Sequence, residues 1–281
     1  MKPKENSRLS QLKSQLEDPN FTGCLVGIQK EDTALVDEAL SIATTYAIIP
    51  ISGFRVGALA FGSSGKCYLG ANMEITGAPL NASLHAEQSA VLNAWMHGEL
   101  AIDSLFVSEL PCGHCRQFLL ELHDAANLII VTRGTKTTLS DLIPNAFGDP
   151  RPKGHGLLDG PGQPVVIARP TDRDNDQRAV NAASKSYAPY TNSPEGFVIE
   201  SISGHRFIGR AAESVAFNPS VPAVITALNQ RNLSAHRKDY IDNCTHAKLA
   251  TALKSTLRFS EAVIERICSA RVESVLMESA D

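Results

Sequence analysis

The chain has 281 residues, 43% hydrophobic and 20% charged, which is enough apolar material for one large domain or two ordinary ones. A formal charge of −4 argues against a broad surface for nucleic acid, because such surfaces are basic. No apolar run is long enough to span a membrane, and Met1-Lys2-Pro3-Lys4-Glu5-Asn6 leads into polar sequence instead of an apolar secretory stretch, so a cytoplasmic setting is expected.

Residues 1–30 read as a polar helical arm, with Leu9, Leu12 and Leu16 at helical spacing before Asp18-Pro19-Asn20 breaks the pattern. The arm is expected to pack and to carry no chemistry. A second helix begins at Glu31, with Leu35, Ala39, Ile42, Ala43 and Tyr46 on one stripe. Residues 54–61 and 66–72 then form a hairpin about Gly62-Ser63-Ser64-Gly65. A helix over 85–95 ends at Gly98, and residues 105–108, 115–122 and 127–132 read as strand, helix and strand. That order predicts parallel pairing with helices on the sheet faces.

Residues 144–170 hold six prolines and five glycines. They read as a surface connection, 144–172, between a first domain at 31–143 and a second domain at 173–281. Phe147, Leu157, Leu158 and residues 165–167 within it still call for burial.

The second domain repeats the first. Residues 176–228 echo 34–91 in order of elements, with Gly204-His205-Arg206-Phe207 mirroring Gly65-Lys66-Cys67-Tyr68 and one length change placed in the hairpin region. Opposite His85 stands Pro222, and opposite Glu87 stands Val224. No close cysteine pair follows. The second copy reads as the same fold with its site erased.

The chemistry concentrates in Leu84-His85-Ala86-Glu87-Gln88 and Pro111-Cys112-Gly113-His114-Cys115-Arg116. Each segment opens a predicted helix, where backbone N–H groups and the helix dipole favour thiolate. Cys112 and Cys115, three apart, can point to one centre, and His85 can add a neutral imidazole. Three protein ligands leave a tetrahedral zinc one position for water. Glu87 does not share the direction of His85 and can reach that position to move a proton. His114 is a further candidate ligand, although a fourth would close the site. The other histidines (97, 123, 155, 205, 236 and 246) show no partner pattern, and Cys24, Cys67, Cys244 and Cys268 read as buried thiols. The combined pattern His-x-Glu…Pro-Cys-x-x-Cys is a general signature of zinc nucleobase deaminases.

With Phe54-Arg55-Val56-Gly57-Ala58, Gly70-Ala71-Asn72-Met73-Glu74 and Leu142-Ile143-Pro144-Asn145-Ala146-Phe147-Gly148 added, the sequence resembles the cytidine deaminases of the long, two-domain, homodimeric form. The resemblance implies an α/β fold: two three-layer α/β/α domains with mixed central sheets, the second degenerate. It implies one Zn2+ per chain on His85, Cys112 and Cys115, with Glu87 as proton shuttle. Asn72 and Glu74 match the residues that hold the ribose hydroxyls; read from the residues alone, they are a strand-end turn. Phe54 matches the ring that packs on the pyrimidine, Ala86 the residue whose backbone contacts the base, and Phe147 a residue offered to the other subunit's site. Leu110 departs from the family, which usually has a small hydroxyl residue there. The implied reaction is hydrolytic deamination of free cytidine and deoxycytidine. The implied partners are a small nucleoside and a second copy of the chain, not nucleic acid or membrane. A deaminase of bases within RNA or DNA and a zinc-stabilised, non-enzymatic protein share parts of the motif. The acidic balance and the Asn72/Glu74 pair weigh against the first, and the intact first copy beside the erased second weighs against the other.

Overall fold

In chain order the first half holds α1 (Pro3–Leu16), β1 (Cys24–Leu25), α2 (Thr33–Thr45), β2 (Gly57–Gly62), β3 (Cys67–Ala71), α3 (Ala86–Met96), β4 (Ile102–Val107), α4 (Gly113–Leu119), β5 (Ile129–Thr132), β6 (Thr135–Thr138) and α5 (Leu139–Leu142). The second half holds β7 (Val165–Ile167), α6 (Asp174–Ser184), β8 (Glu195–Ser201), β9 (Arg206–Arg210), α7 (Ala223–Asn232), β10 (Ile241–Leu249), α8 (Leu257–Ile267) and β11 (Val272–Ser279). This computed structural model describes residues 3–148 and 154–280, so Pro150 and Pro152 of the expected connection and the extreme ends of the arm and the second half lie outside the described residues.

Two mixed sheets share one plan. Their orders are β1-β3-β2-β4-β5-β6 and β7-β11-β10-β8-β9. In each, a hairpin pairs antiparallel with a third strand, which pairs parallel with a fourth. The βαβ unit expected at 105–132 is therefore present as β4-α4-β5. Residues 165–167, placed in the connection by sequence, instead form β7 and pair antiparallel with β11 at the sheet edge. Residues 54–56 fall outside β2, where the Asn72 side chain, in place of a strand partner, takes Val56 N and Phe54 O.

Alternation along β2 sets the layers. Leu59 and Phe61 pack with Leu35, Val36, Ala39 and Ala43 of α2, whereas Ala58 and Ala60 pack with Ala90 and Val91 of α3. A strand buried on both faces reads as a continuous apolar run, which is the composition of β2. The second half repeats this with Val198 facing α6 and Phe197 and Ile199 facing the layer of α7. Helices α3 and α7 lie between the sheets in one continuous core. Ser89 donates to Asn229 Oδ1 at 2.6 Å and Asn229 Nδ2 donates to Ser89 O at 3.0 Å across that contact. Gly70 is required at this packing: a Cβ there would lie 2.4 Å from Ala86 O and 2.3 Å from Ala90 N.

The arm belongs to this fold. Leu12 is buried in the cluster with α2, and β1 adds an edge strand against β3. Burial of one leucine contributes about 1.5–3 kcal/mol, which ties the arm to the sheet.

The bridges Ile48–Met73 and Met73–Leu84 recur as Tyr187–Ala212 and Ala212–Val221. The hairpins are thus equal in length, and the second copy is two residues shorter in the loop that follows, at 76–82, instead of in the hairpin. Tyr187 takes the place of Ile48.

Glu195 is fully buried at the start of β8. Its carboxylate meets His246 Nε2 at 3.1 Å, Thr256 N at 2.7 Å, Thr256 Oγ1 at 2.7 Å and Lys254 Nζ at 3.7 Å. Burial alone raises its pKa, but the contacts to His246, Thr256 and Lys254 outweigh it and hold the carboxyl below its ordinary range. Its stabilisation is therefore present above the unfolded carboxylate pKa and is lost as pH falls through the lower folded value. Glu195→Gln is expected to cost about 3–5 kcal/mol at neutral pH, measured by denaturant unfolding, because it strands buried partners. The gap to wild type should narrow in acid; a gap that widened there would contradict this account.

Candidate active site

Two helix starts meet at the exit of β4. His85 is the N-cap of α3, with extended backbone at φ −85 and ψ 156, and Cys112 is the N-cap of α4. Cys115 lies one turn into α4 and is fully buried. Cys112 Sγ stands 3.5 Å from His85 Nδ1 and 3.7 Å from Cys115 Sγ. A tetrahedral zinc with Zn–S near 2.3 Å and Zn–N near 2.0–2.1 Å needs such pairs about 3.6 and 3.8 Å apart. The donor set therefore fits zinc without rearrangement. His114 does not join it. Its ring stacks on that of His85, centroids 5.1 Å apart, and burial followed by the nearby His85 lowers its pKa.

The electrostatics suit thiolate chemistry. Hydrogen bonds from Cys115 and then His85 bring Cys112 down to about 3. The same sulfur contact pushes Cys115 up, since a second thiolate would face the first; a bound cation removes that penalty for both. His85 is raised by its bond to Cys112. Glu87 is only 4% exposed, and burial raises its pKa against the opposing pull of its own backbone N–H and the Cys115 thiol. A carboxyl poised to exchange protons thus sits directly beside the donor set.

His85, Glu87 and Cys112 line a cavity of about 420 Å³, with Cys115 buried behind them. Phe54, Asn72, Glu74, Ala86 and Leu110 also line it. Ser52, Leu80 and Glu109 line it too, and no spacing in the sequence marks these loop residues. A larger groove of about 1010 Å³ beside Lys30 and Arg133 has no histidine or cysteine in its lining.

Asn72 and Glu74 each hold the wall of the cavity. Asn72 Oδ1 accepts from Val56 N at 2.9 Å, and its Nδ2 donates to Phe54 O at 2.9 Å. Glu74 Oε2 accepts from Ile51 N at 2.9 Å and Ser52 N at 3.0 Å. Burial raises the Glu74 pKa, yet bonds from the Ser52 hydroxyl and these two N–H groups outweigh it and leave the group ionised below its ordinary range. A carboxylate has about four acceptor positions, so one more donor can still be taken.

Phe147 lies outside this cavity and is 64% exposed. Its backbone is gripped at both ends by Gln117, whose Nε2 donates to Phe147 O at 3.0 Å while Phe147 N donates to Oε1 at 3.2 Å. The ring is therefore held outward from a rigid base.

In the second copy, Pro222 caps α7 where His85 caps α3, and Val224 is buried where Glu87 stands. Glu213 keeps the place of Glu74 and accepts from Tyr190 N at 3.1 Å and Thr191 N at 3.2 Å. Lys254 Nζ reaches it at 3.4 Å.

Comparison with known proteins agrees with the repeat. Residues 29–132 and 139–261 each match a family model described as the cytidine and deoxycytidylate deaminase zinc-binding region. The cytidine deaminase of Serratia proteamaculans (strain 568) is 39% identical over 255 residues, covering 86% of this chain and 83% of its own length. That of Pectobacterium carotovorum subsp. carotovorum (strain PC1) is 36% identical over 278 residues, covering 95% and 93%. The solved cytidine deaminase of Mycobacterium tuberculosis aligns with 42% of this chain and 98% of its own at 32% identity and a TM-score of 0.38. Among the described residues no helix is long and apolar enough to cross a membrane. With a zinc-shaped donor set in one copy, its erased counterpart in the other, and relatives matching nearly end to end, the chain belongs to the cytidine deaminase family.

Proposed function

We propose that this chain hydrolyses free cytidine and deoxycytidine to uridine and deoxyuridine with release of ammonia, a pyrimidine-salvage reaction of the cytoplasm. The observation that carries it is a buried carboxyl, Glu87, beside the His85–Cys112–Cys115 donor set in a cavity walled by Asn72 and Glu74. Those three donors hold one zinc, which when bound supplies a Lewis acid that acidifies water. Glu87 takes a proton from the attacking water and delivers it to ring N3, then moves the second proton of that water from the new C4 hydroxyl to the amine, which leaves as ammonia while the C4 carbonyl forms. Phe54 packs on the pyrimidine and the Ala86 backbone contacts the base. Loss of cytidine absorbance with the zinc-loaded chain, abolished by a chelator, tests the reading. A zinc-loaded chain inert toward both nucleosides overturns it, and faster turnover of an oligonucleotide moves it to nucleic acid.

Glu74 and Asn72 accept the ribose hydroxyls while holding the wall. A 3′-phosphate would be repelled by Glu74, which supports a free nucleoside. Loss of a hydrogen bond to a charged group costs about 1.5–3 kcal/mol, so Glu74→Gln is expected to raise KM for cytidine by roughly 10- to 100-fold with a smaller change in kcat. A KM within twofold of wild type would remove Glu74 from substrate binding.

A homodimer completes the site. The outward Phe147 ring, fixed through Gln117 two residues after Cys115, supports its role as a group offered to the other subunit's cavity. Sizing should give about 60 kDa, twice the chain's 30.2 kDa, and Phe147→Ala should raise KM by about tenfold while the chain stays folded. Elution near one chain mass refutes the dimer.

A further inference from the structure

Two histidines without any partner pattern in the sequence meet in the second half. His205 lies in the turn between β8 and β9, and His236 and Asp239 lie in the loop after α7. We propose that His205, His236 and Asp239 form a second metal site, one that takes a divalent transition cation of the zinc class. Among the described residues only this group and His85–Cys112–Cys115 bring three such ligand atoms within 4.8 Å of one another.

The spacing is that of a coordination shell. His205 Nδ1 lies 3.3 Å and His236 Nδ1 lies 3.6 Å from the same oxygen, Asp239 Oδ2. A tetrahedral zinc bound at about 2.0–2.2 Å sets nitrogen and oxygen donors about 3.4 Å apart. The two rings stack, centroids 3.3 Å apart and 19° between planes, so binding a cation turns the rings out of the stack until each in-plane Nδ1 lone pair meets the metal. The backbone is fixed on each side: His205 N donates to Ser201 Oγ at 3.1 Å, His236 N to Ser234 Oγ at 3.1 Å, and Asp239 N to His236 O at 3.0 Å. The Ser203 hydroxyl donates to Asp239 Oδ2 and also meets His205 Nδ1 at 3.0 Å. A cation displaces it from the nitrogen and leaves it bracing the carboxylate, as outer partners of metal ligands do.

The donor types select the metal. Two imidazoles and a carboxylate suit zinc, cobalt, nickel or copper, whereas calcium and magnesium take oxygen shells. The side chains are 42%, 29% and 26% exposed, so a cation can enter from solvent. A bound cation staples the β8–β9 hairpin to the loop after α7. That loop already receives the arm, since Ala235 N donates to Phe21 O at 2.9 Å. The site is therefore a structural clamp, and binding to the folded chain alone raises its thermal midpoint.

Zinc titration by equilibrium dialysis, with metal counted per chain, tests the site. The wild type is expected to bind two equivalents, the second raising the thermal midpoint and not replaced by Mg2+. With Co2+, the first equivalent adds thiolate charge-transfer absorption and the second adds none. His205→Asn and His236→Asn are expected to lose the second equivalent and its thermal shift. Their metal-free midpoints should match the wild type, which shows that they fold. A wild type that takes no second equivalent, or a second equivalent that persists in both variants, overturns the site.

Discussion

Glu87→Gln is expected to lower kcat for cytidine by about 10³–10⁴-fold, the upper range for general acid–base catalysis, while the His85–Cys112–Cys115 centre keeps its metal. The substitution preserves shape and burial, so it removes proton transfer alone. No neighbour replaces it. The other carboxylates lining the cavity are Glu74, bound by Ile51 N and Ser52 N, and Glu109, paired with Arg133 at 2.6 Å. Burial raises the Glu87 pKa, so its carboxylate is lost on acidification earlier than an ordinary glutamate's. Turnover within tenfold of wild type, with metal retained, would assign the proton transfer to another group.

Cys115→Ala is expected to remove both metal and turnover. Two donors, His85 and Cys112, hold zinc far more weakly than three, and the fully buried position admits no substitute ligand from solvent. The expected loss in kcat/KM is at least about 10³-fold, because water is then no longer acidified near neutral pH. Metal analysis beside a cytidine assay reads both effects, and the thermal midpoint should fall with the metal. Full activity with a vacant thiolate position would take Cys115 out of the ligand set.

The catalytic half of the site is legible in the sequence because it is local. Helix-opening positions fix the directions of His85, Glu87, Cys112 and Cys115 before any tertiary contact forms. The hairpin and the βαβ unit follow as readily, since their signals are local too, whereas the antiparallel pairing of β2 with β4 that joins them has no such signal. What does not show is what distant loops bring together. Ser52, Leu80 and Glu109 reach the cavity through turns with no period. Val165-Val166-Ile167 look like linker because prolines surround them, yet an open sheet edge beside β11 recruits them as β7. His205 and His236 stand 31 positions apart in the sequence and meet only because a hairpin turn lies over the end of α7. The place of the length change is hidden for a related reason: the two hairpins are equal in length but differ in composition, and only the bridging pattern shows that the following loop is the shorter one.

The Lys254–Glu213 contact has a consequence for any attempt to revive the second copy. Glu213 still holds its turn as Glu74 does, but its Oε1 meets an ammonium tethered to the same chain. Such an internal competitor acts at an effective concentration of millimolar or more, and a nucleoside must displace it before touching the carboxylate. Restoring histidine at Pro222 and glutamate at Val224, even with a close thiol pair added after β10, therefore rebuilds a reaction centre behind a blocked door. The lysine has to leave first.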